Sequence, residues 1–154
     1  MESFFVCLVL LQGMYTESPS YNRKVDSMIP YRLEVCVEVL ETAEANGVDS
    51  TLAVAVAWHE SRFRKKITSK AGAVGPLQVL PQYWCPNKQE KGCDLILSGV
   101  MALKRYTSRY PIKEALCRYN VGNRGCKSKR ATRYAETVLE TFKRLSFSRW
   151  MLFS

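Results

Sequence analysis

The chain has 154 residues, of which 47% are hydrophobic, and a formal net charge of +9. This length supports one domain with a buried core and is too short for two full domains. Residues 1–60 contain nine acidic and three basic residues, whereas residues 61–154 contain five acidic and twenty basic residues. A basic half of this kind favours an anionic partner, such as a nucleic acid, a membrane surface or a cell wall, or forms a solubilising surface.

The amino terminus contains a short apolar run, "FFVCLVLL", which is too short to span a bilayer. The run is similar to the core of a signal peptide, but Glu2 precedes it, no basic residue does, and no clear cleavage site follows. Three interpretations remain open: an export segment, a hydrophobic helix packed on the domain, or a start codon assigned too far upstream. Residues 16–30 are polar, contain two prolines and indicate a linker.

Two helices are predicted before residue 62. Pro30 is typical of the first turn of a helix, and Asn46-Gly47 is typical of its end. Asp49 is a suitable N-cap for a second helix over residues 50–60. The alternating Ala and Val residues of that segment also fit a strand, but its length, its cap and its alanines favour a helix.

The rest of the chain predicts further helices joined by loops. Two glycines and two prolines favour a loop after Phe63, with a hairpin-like excursion and a short helix near Leu77–Leu80. Helical patterns and caps then predict helices over residues 95–110, 112–120 and 132–145, with a basic loop over residues 123–130. The sequence therefore predicts a mainly α domain with little or no β structure.

Six cysteines are present, no pair has the CxxC spacing, and His59 is the single histidine, which argues against a zinc site. Four cysteines form the local pairs Cys85/Cys93 and Cys117/Cys126, and each pair brackets a loop. This spacing favours two local disulfides in an oxidising compartment. A Cys36–Cys93 bridge and a set of reduced thiols are the alternatives.

Glu60 is the candidate for chemistry, because it ends a predicted apolar helix on the same side as Leu52 and Val56. The helix dipole and burial both favour a protonated carboxyl there, as general-acid cleavage of a glycosidic bond requires. Arg62 and Arg64 would oppose this effect if they pointed inward, and a solvated residue at a helix end is the alternative. No acidic residue lies between Ser61 and Gln89, so no local partner supports a two-carboxylate mechanism.

The chain resembles the lytic transglycosylases that have a soluble-lytic-transglycosylase (SLT), goose-lysozyme-like catalytic domain. The resemblance covers residues 50–142 and is carried by four motifs in order: Glu60-Ser61, "SKAGAVG" with Gly75-Pro76-Leu77-Gln78, Tyr119-Asn120-Val121-Gly122, and Tyr134 in the last helix. Pro76 stands where the family has leucine. The two local cysteine pairs are not general in the family and are similar to small phage-encoded members.

The resemblance implies a single lysozyme-like helical domain and a peptidoglycan lytic transglycosylase in which Glu60 is the sole catalytic acid and base. It implies that Tyr134 reaches toward the catalytic carboxyl and that the other substrate-binding residues are Ser69, Gln78, Leu80, Tyr119 and Asn120. Each polar residue has a structural alternative: a loop hydroxyl for Ser69, a turn residue for Gln78, a helix C-cap for Asn120 and a core position for Tyr134. His59 is interpreted as structural or at the rim. Trp58 and Trp84 are interpreted as core residues.

We expect a hydrophobic segment and linker over residues 1–28, a catalytic domain over residues 29–146 and a tail over residues 147–154. The expected partners are peptidoglycan glycan strands and an anionic wall or outer-membrane surface, without nucleic acid, metal or cofactor, and the chain is expected to be a monomer. It would act in the periplasm or cell wall after export, phage lysis or delivery by a virion. A goose-type hydrolase and an inactive basic glycan-binding module are the alternatives.

Overall fold

The computed structural model describes residues 2–16 and 29–154 and is mainly α, as the sequence predicts. The predicted linker lies almost entirely outside the described residues. The described α-helices are α1 (Glu2–Thr16), α2 (Ile29–Ala45), α3 (Ser50–Ser61), α4 (Pro81–Trp84), α5 (Leu95–Thr107), α6 (Ile112–Val121) and α7 (Lys129–Phe153).

Helix α3 forms the centre of the core and positions Glu60. Its residues 52–57 are at most 3% exposed, and α2 and α7 pack against it. The small Ala and Val side chains allow the neighbouring helices to approach closely. Asp49 caps the helix as predicted, since its carboxylate accepts a hydrogen bond from the Leu52 N–H at 3.0 Å. At the other end, Arg62 adopts a left-handed conformation with φ 54° and stops the helix.

The segment between α3 and α4 differs from the prediction. The short helix predicted near Leu77–Leu80 is wrong, because that stretch is a tight turn and the short helix α4 lies at Pro81–Trp84. Isolated antiparallel bridges join Val74 to Thr68 and to Val79, in keeping with the expected hairpin-like excursion. A helix cannot continue through the turn because Gly75 and Gln78 have φ angles of 78° and 50°.

The last helix is longer than predicted, because α7 continues to Phe153 through the expected tail. No Gly or Pro occurs from Lys129 onward to end it. Arg149 also anchors this end: its guanidinium lies 3.0 Å from the Glu44 carboxylate and donates to the Ser50 hydroxyl at 2.7 Å. The beginning of α7 falls within the predicted basic loop, where Ser128 is the N-cap.

Three disulfides are present among the described residues. The predicted Cys85–Cys93 and Cys117–Cys126 pairs are confirmed. The alternative Cys36–Cys93 bridge is wrong, because Cys36 bonds to Cys7. The reason is long-range packing: α1 lies against α2 and brings these two cysteines together.

Helix α1 packs on the domain, which is one of the three interpretations open from the sequence. It contacts α2 and α7, and it buries Val6, Leu10, Leu11 and Met14. Among the described helices, none combines the length and apolarity needed to cross a membrane.

Gly99 of α5 allows the turn that carries Gln78 to pack closely. A Cβ atom at Gly99 would lie 2.4 Å from the Leu77 Cβ atom. We expect Gly99→Ala to lower the free energy of unfolding by about 1–3 kcal/mol through overpacking. The matched control is Gly13→Ala in α1, where a Cβ meets no atom within 4 Å and the change should raise stability by about 0.5–1 kcal/mol. Urea denaturation measures both, and equal stability of the two variants would contradict the prediction.

Candidate active site

Glu60 meets Tyr134 across the interface between α3 and α7. The Tyr134 hydroxyl donates a hydrogen bond of 2.6 Å to Glu60 Oε1. Burial and the charge of Glu60 raise the pKa of Tyr134 well above its usual value of 10.0, so the hydroxyl keeps its proton and acts as a donor. Tyr134 also packs against the hydrophobic core, so the same residue occupies a core position and contacts Glu60.

Burial changes the chemistry of the Glu60 carboxyl. It raises the pKa of Glu60 from 4.5 to about 7, while the hydrogen bond from Tyr134 and the positive charge of Arg130 each lower it. A carboxyl with a pKa near 7 exists in both protonation states at neutral pH. It can therefore donate a proton and afterwards accept one.

Arg130 is a site residue that the sequence interpretation missed. The two cations considered from the sequence bind elsewhere: Arg62 stacks on the Trp58 ring at 4.3 Å, and Arg64 donates to the Ser61 carbonyl at 2.8 Å. Arg130 instead lines the cavity with Glu60. The sequence signal that could have identified Arg130 is its position one helical turn before Tyr134 in the last helix.

His59 contacts α7 through its ring, as expected for a structural residue. Its Nε2 atom lies 2.7 Å from the Thr141 hydroxyl on α7. Burial, Arg62 and Arg144 lower the pKa of His59 to about 4, so the ring is neutral at physiological pH.

Six of the seven predicted site residues line one cavity of about 220 Å³, which we call the inner cavity. These residues are Glu60, Ser69, Gln78, Leu80, Tyr119 and Asn120. Tyr134, the seventh, contacts Glu60 through its hydroxyl. Four separate parts of the chain, namely α3, the loop that follows it, α6 and α7, thus contribute to this site.

Gln78 is held rigidly in the turn. Its side-chain amide donates to the Gly75 carbonyl at 3.0 Å and to the Ile67 carbonyl at 3.2 Å. Its φ of 50° is uncommon for a residue other than glycine. Gln78 is therefore a turn residue, as the structural alternative supposed, and it also faces the inner cavity.

Ser69 and Tyr119 also hold the loop that closes the cavity. The Ser69 hydroxyl accepts a hydrogen bond from the Ala73 N–H at 3.1 Å, which fits the loop-hydroxyl alternative. The Tyr119 hydroxyl donates to the Leu77 carbonyl at 2.5 Å. The bond from Tyr119 fixes the loop relative to α6, and the bond to Ser69 holds the loop internally.

Asn120 lies in the last turn of α6, but it is not the helix C-cap. Gly122 is the C-cap, and its N–H bonds to the Arg118 carbonyl. Asn120 Oδ1 is buried and has no hydrogen-bond partner among the described residues. A buried acceptor without a donor is costly, so this oxygen is suited to receive a hydrogen bond from a ligand.

A larger cavity of about 640 Å³, the outer groove, continues from the inner cavity. The two share Leu80, Trp84, Tyr106, Tyr119 and Asn120. Trp84, interpreted from the sequence as a core residue, is therefore at the cleft. Among the described residues that line either cavity, Glu60 is the only acidic one.

No group of three or more His, Cys, Asp or Glu side chains in the described ranges is arranged to hold a metal ion.

The hydrogen bond from Tyr134 favours the ionised form of Glu60, so its removal should raise the pKa of Glu60 above about 7. A pH titration of the ¹³C-labelled Glu60 carboxyl in Tyr134→Phe measures this change. Tyr83→Phe is the control, because Tyr83 is 72% exposed at the rim of the groove. An unchanged or lowered pKa in Tyr134→Phe would contradict the assigned hydrogen bond.

The family model of the transglycosylase SLT domain matches residues 38–141, which is more than half of the chain. This range includes Glu60 and every residue that lines the inner cavity. Comparisons with curated proteins and with solved structures gave no match. The chain belongs to the transglycosylase SLT domain family, whose members are transglycosylase-type enzymes acting on peptidoglycan.

Proposed function

We propose that this enzyme cleaves the β-1,4 bond between N-acetylmuramic acid and N-acetylglucosamine and forms a 1,6-anhydro end, with Glu60 as the sole acid and base. One observation carries the proposal: Glu60, with a pKa raised to about 7, is the only acidic side chain among the described residues that line the cleft. A mechanism with two carboxylates has no second group available there.

The proposed reaction uses Glu60 twice. The protonated carboxyl first donates its proton to the glycosidic oxygen, and the bond from that oxygen to C1 of the muramic acid breaks. The resulting Glu60 carboxylate then accepts the proton of the C6 hydroxyl of the same sugar while that oxygen bonds to C1. Glu60 thereby recovers the proton that it donated, and the reaction consumes no water.

The surrounding residues support this cycle. Tyr134 donates to the carboxylate formed after the first step, which stabilises that intermediate state of Glu60. The unpartnered Asn120 Oδ1 would accept a hydrogen bond from the glycan, for example from an N-acetyl N–H. Gln78 and Ser69 would add polar contacts, while Leu80 and Tyr119 form apolar walls.

The first test is digestion of purified peptidoglycan, followed by mass spectrometry of the products. The wild-type protein should release fragments ending in 1,6-anhydromuramic acid, and Glu60→Gln should lower the rate by about 10²–10⁴-fold, as removal of a general acid does. Glu140→Gln is the matched control, because Glu140 is an exposed residue of α7 outside both cavities.

Other products would identify other functions. Fragments heavier by one water would indicate a hydrolase on the same scaffold. No products from folded wild-type protein would indicate a basic glycan-binding module.

The basic half of the chain should hold the enzyme on its wall substrate or on an anionic membrane surface. Residues 61–154 contain twenty basic and five acidic residues. We expect binding to insoluble peptidoglycan to weaken steadily as NaCl rises from about 0.05 to 0.5 M, because exposed charges are screened. A co-sedimentation assay measures this dependence, and binding that is indifferent to salt would contradict an electrostatic role.

A further inference from the structure

The outer groove combines positive charge with aromatic surface. Arg105 lies in the last turns of α5, Arg109 lies in the turn that follows this helix, and Arg118 lies on α6; all three line the groove. No described residue that lines this groove is acidic. The groove therefore has the electrostatic character of an anion site rather than of a neutral sugar site.

The charge of Arg118 is already balanced within the protein. Its Nε atom donates to the Glu114 carboxylate at 2.8 Å, and its guanidinium lies 4.2 Å from the centre of the Tyr110 ring. These contacts fix Arg118 as part of the wall.

Arg105 and Arg109 are different, because both are exposed and neither forms an ion pair with a described residue. The Arg105 guanidinium lies 5.8 Å from the centre of the Trp84 ring. A guanidinium that contacts a ring through its face keeps its edge for hydrogen bonds, and that edge matches the two oxygens of a carboxylate.

The position of the groove selects among anionic ligands. It shares Trp84, Tyr106 and Asn120 with the cavity that contains Glu60, so its occupant must lie directly beside the glycan being cleaved. In peptidoglycan, the group that projects from the glycan next to the cleaved bond is the peptide stem of the muramic sugar, which carries free carboxylates.

We propose that Arg105 and Arg109 bind the carboxylates of the peptide stem, so that this enzyme recognises glycan strands bearing charged stems. The inference rests on the proposed function, since it takes the glycan to occupy the inner cavity. It makes the two arginines specificity-determining residues, and the outer groove a site for an anionic peptide.

The test compares two soluble substrates that differ only in charge. One is a preparation of uncross-linked glycan strands with intact stems, stripped of phosphate-containing wall polymers. The other is the same preparation with its stem carboxyls converted to methylamides. We expect Arg105→Ala/Arg109→Ala to raise KM for the charged strands about tenfold with kcat unchanged, and to leave KM for the neutral strands within about twofold.

The matched control is Lys104→Ala/Arg133→Ala, which removes the same charge from exposed positions outside both cavities. This control should behave as the wild type does on both substrates. The proposal is overturned if the arginine variant shows no loss on the charged strands, if it loses equally on both substrates, or if the control variant shows the same loss.

A binding measurement separates this inference from the proposed function. Calorimetry with Glu60→Gln and the same two substrates reports recognition without turnover. Tighter binding of charged strands that depends on Arg105 and Arg109 would support the inference even if the wild type cleaved neither substrate. Equal binding of both substrates, alongside normal cleavage, would overturn the inference and leave the role of Glu60 intact.

Discussion

The site depends on the hydrogen bond between Tyr134 and Glu60. Burial alone would hold the Glu60 carboxyl strongly in its neutral form, and such a group donates a proton but takes it back poorly. The tyrosine hydroxyl and the charge of Arg130 offset part of that desolvation and leave the pKa at about 7. Both residues belong to α7, so the packing of α7 on α3 sets the balance between the two protonation states.

The composition of helix α3 follows from the position of Glu60. Helix α3 must pass through the middle of the domain to bring Glu60 to the cleft, and its Ala and Val residues are nearly all fully buried. Glu60 is then displayed where the left-handed Arg62 ends the helix. On the far side, close packing of Leu77 against Gly99 fixes the turn that holds Gln78 beside the same cavity.

Local sequence signals predicted much of the fold, since Asp49 and Asn46-Gly47 mark helix boundaries that the structure shares. The residues of the inner cavity could be predicted as a group only through the family resemblance. The turn at Gln78 was missed because a side-chain hydrogen bond to the distant Ile67 carbonyl helps to hold it. The Cys7–Cys36 bond was missed because the packing of α1 on α2 creates it. From the sequence alone, Arg105 and Arg109 resemble ordinary surface residues. They line a common groove only because α5 packs against α6.

The loops closed by the two local disulfides lie at the rims of the cleft and differ in how well they would tolerate altered sequences. Cys85 and Cys93 hold the ends of an exposed loop with their Cα atoms 5.5 Å apart, directly after Trp84. Since the bridge fixes where that loop leaves and re-enters the domain, its seven intervening residues form a site at which a foreign binding peptide can be grafted. The Cys117–Cys126 loop has no such freedom, because it carries Tyr119 and Asn120 themselves. One rim of the cleft is therefore suited to engineering, while the other carries residues of the inner cavity.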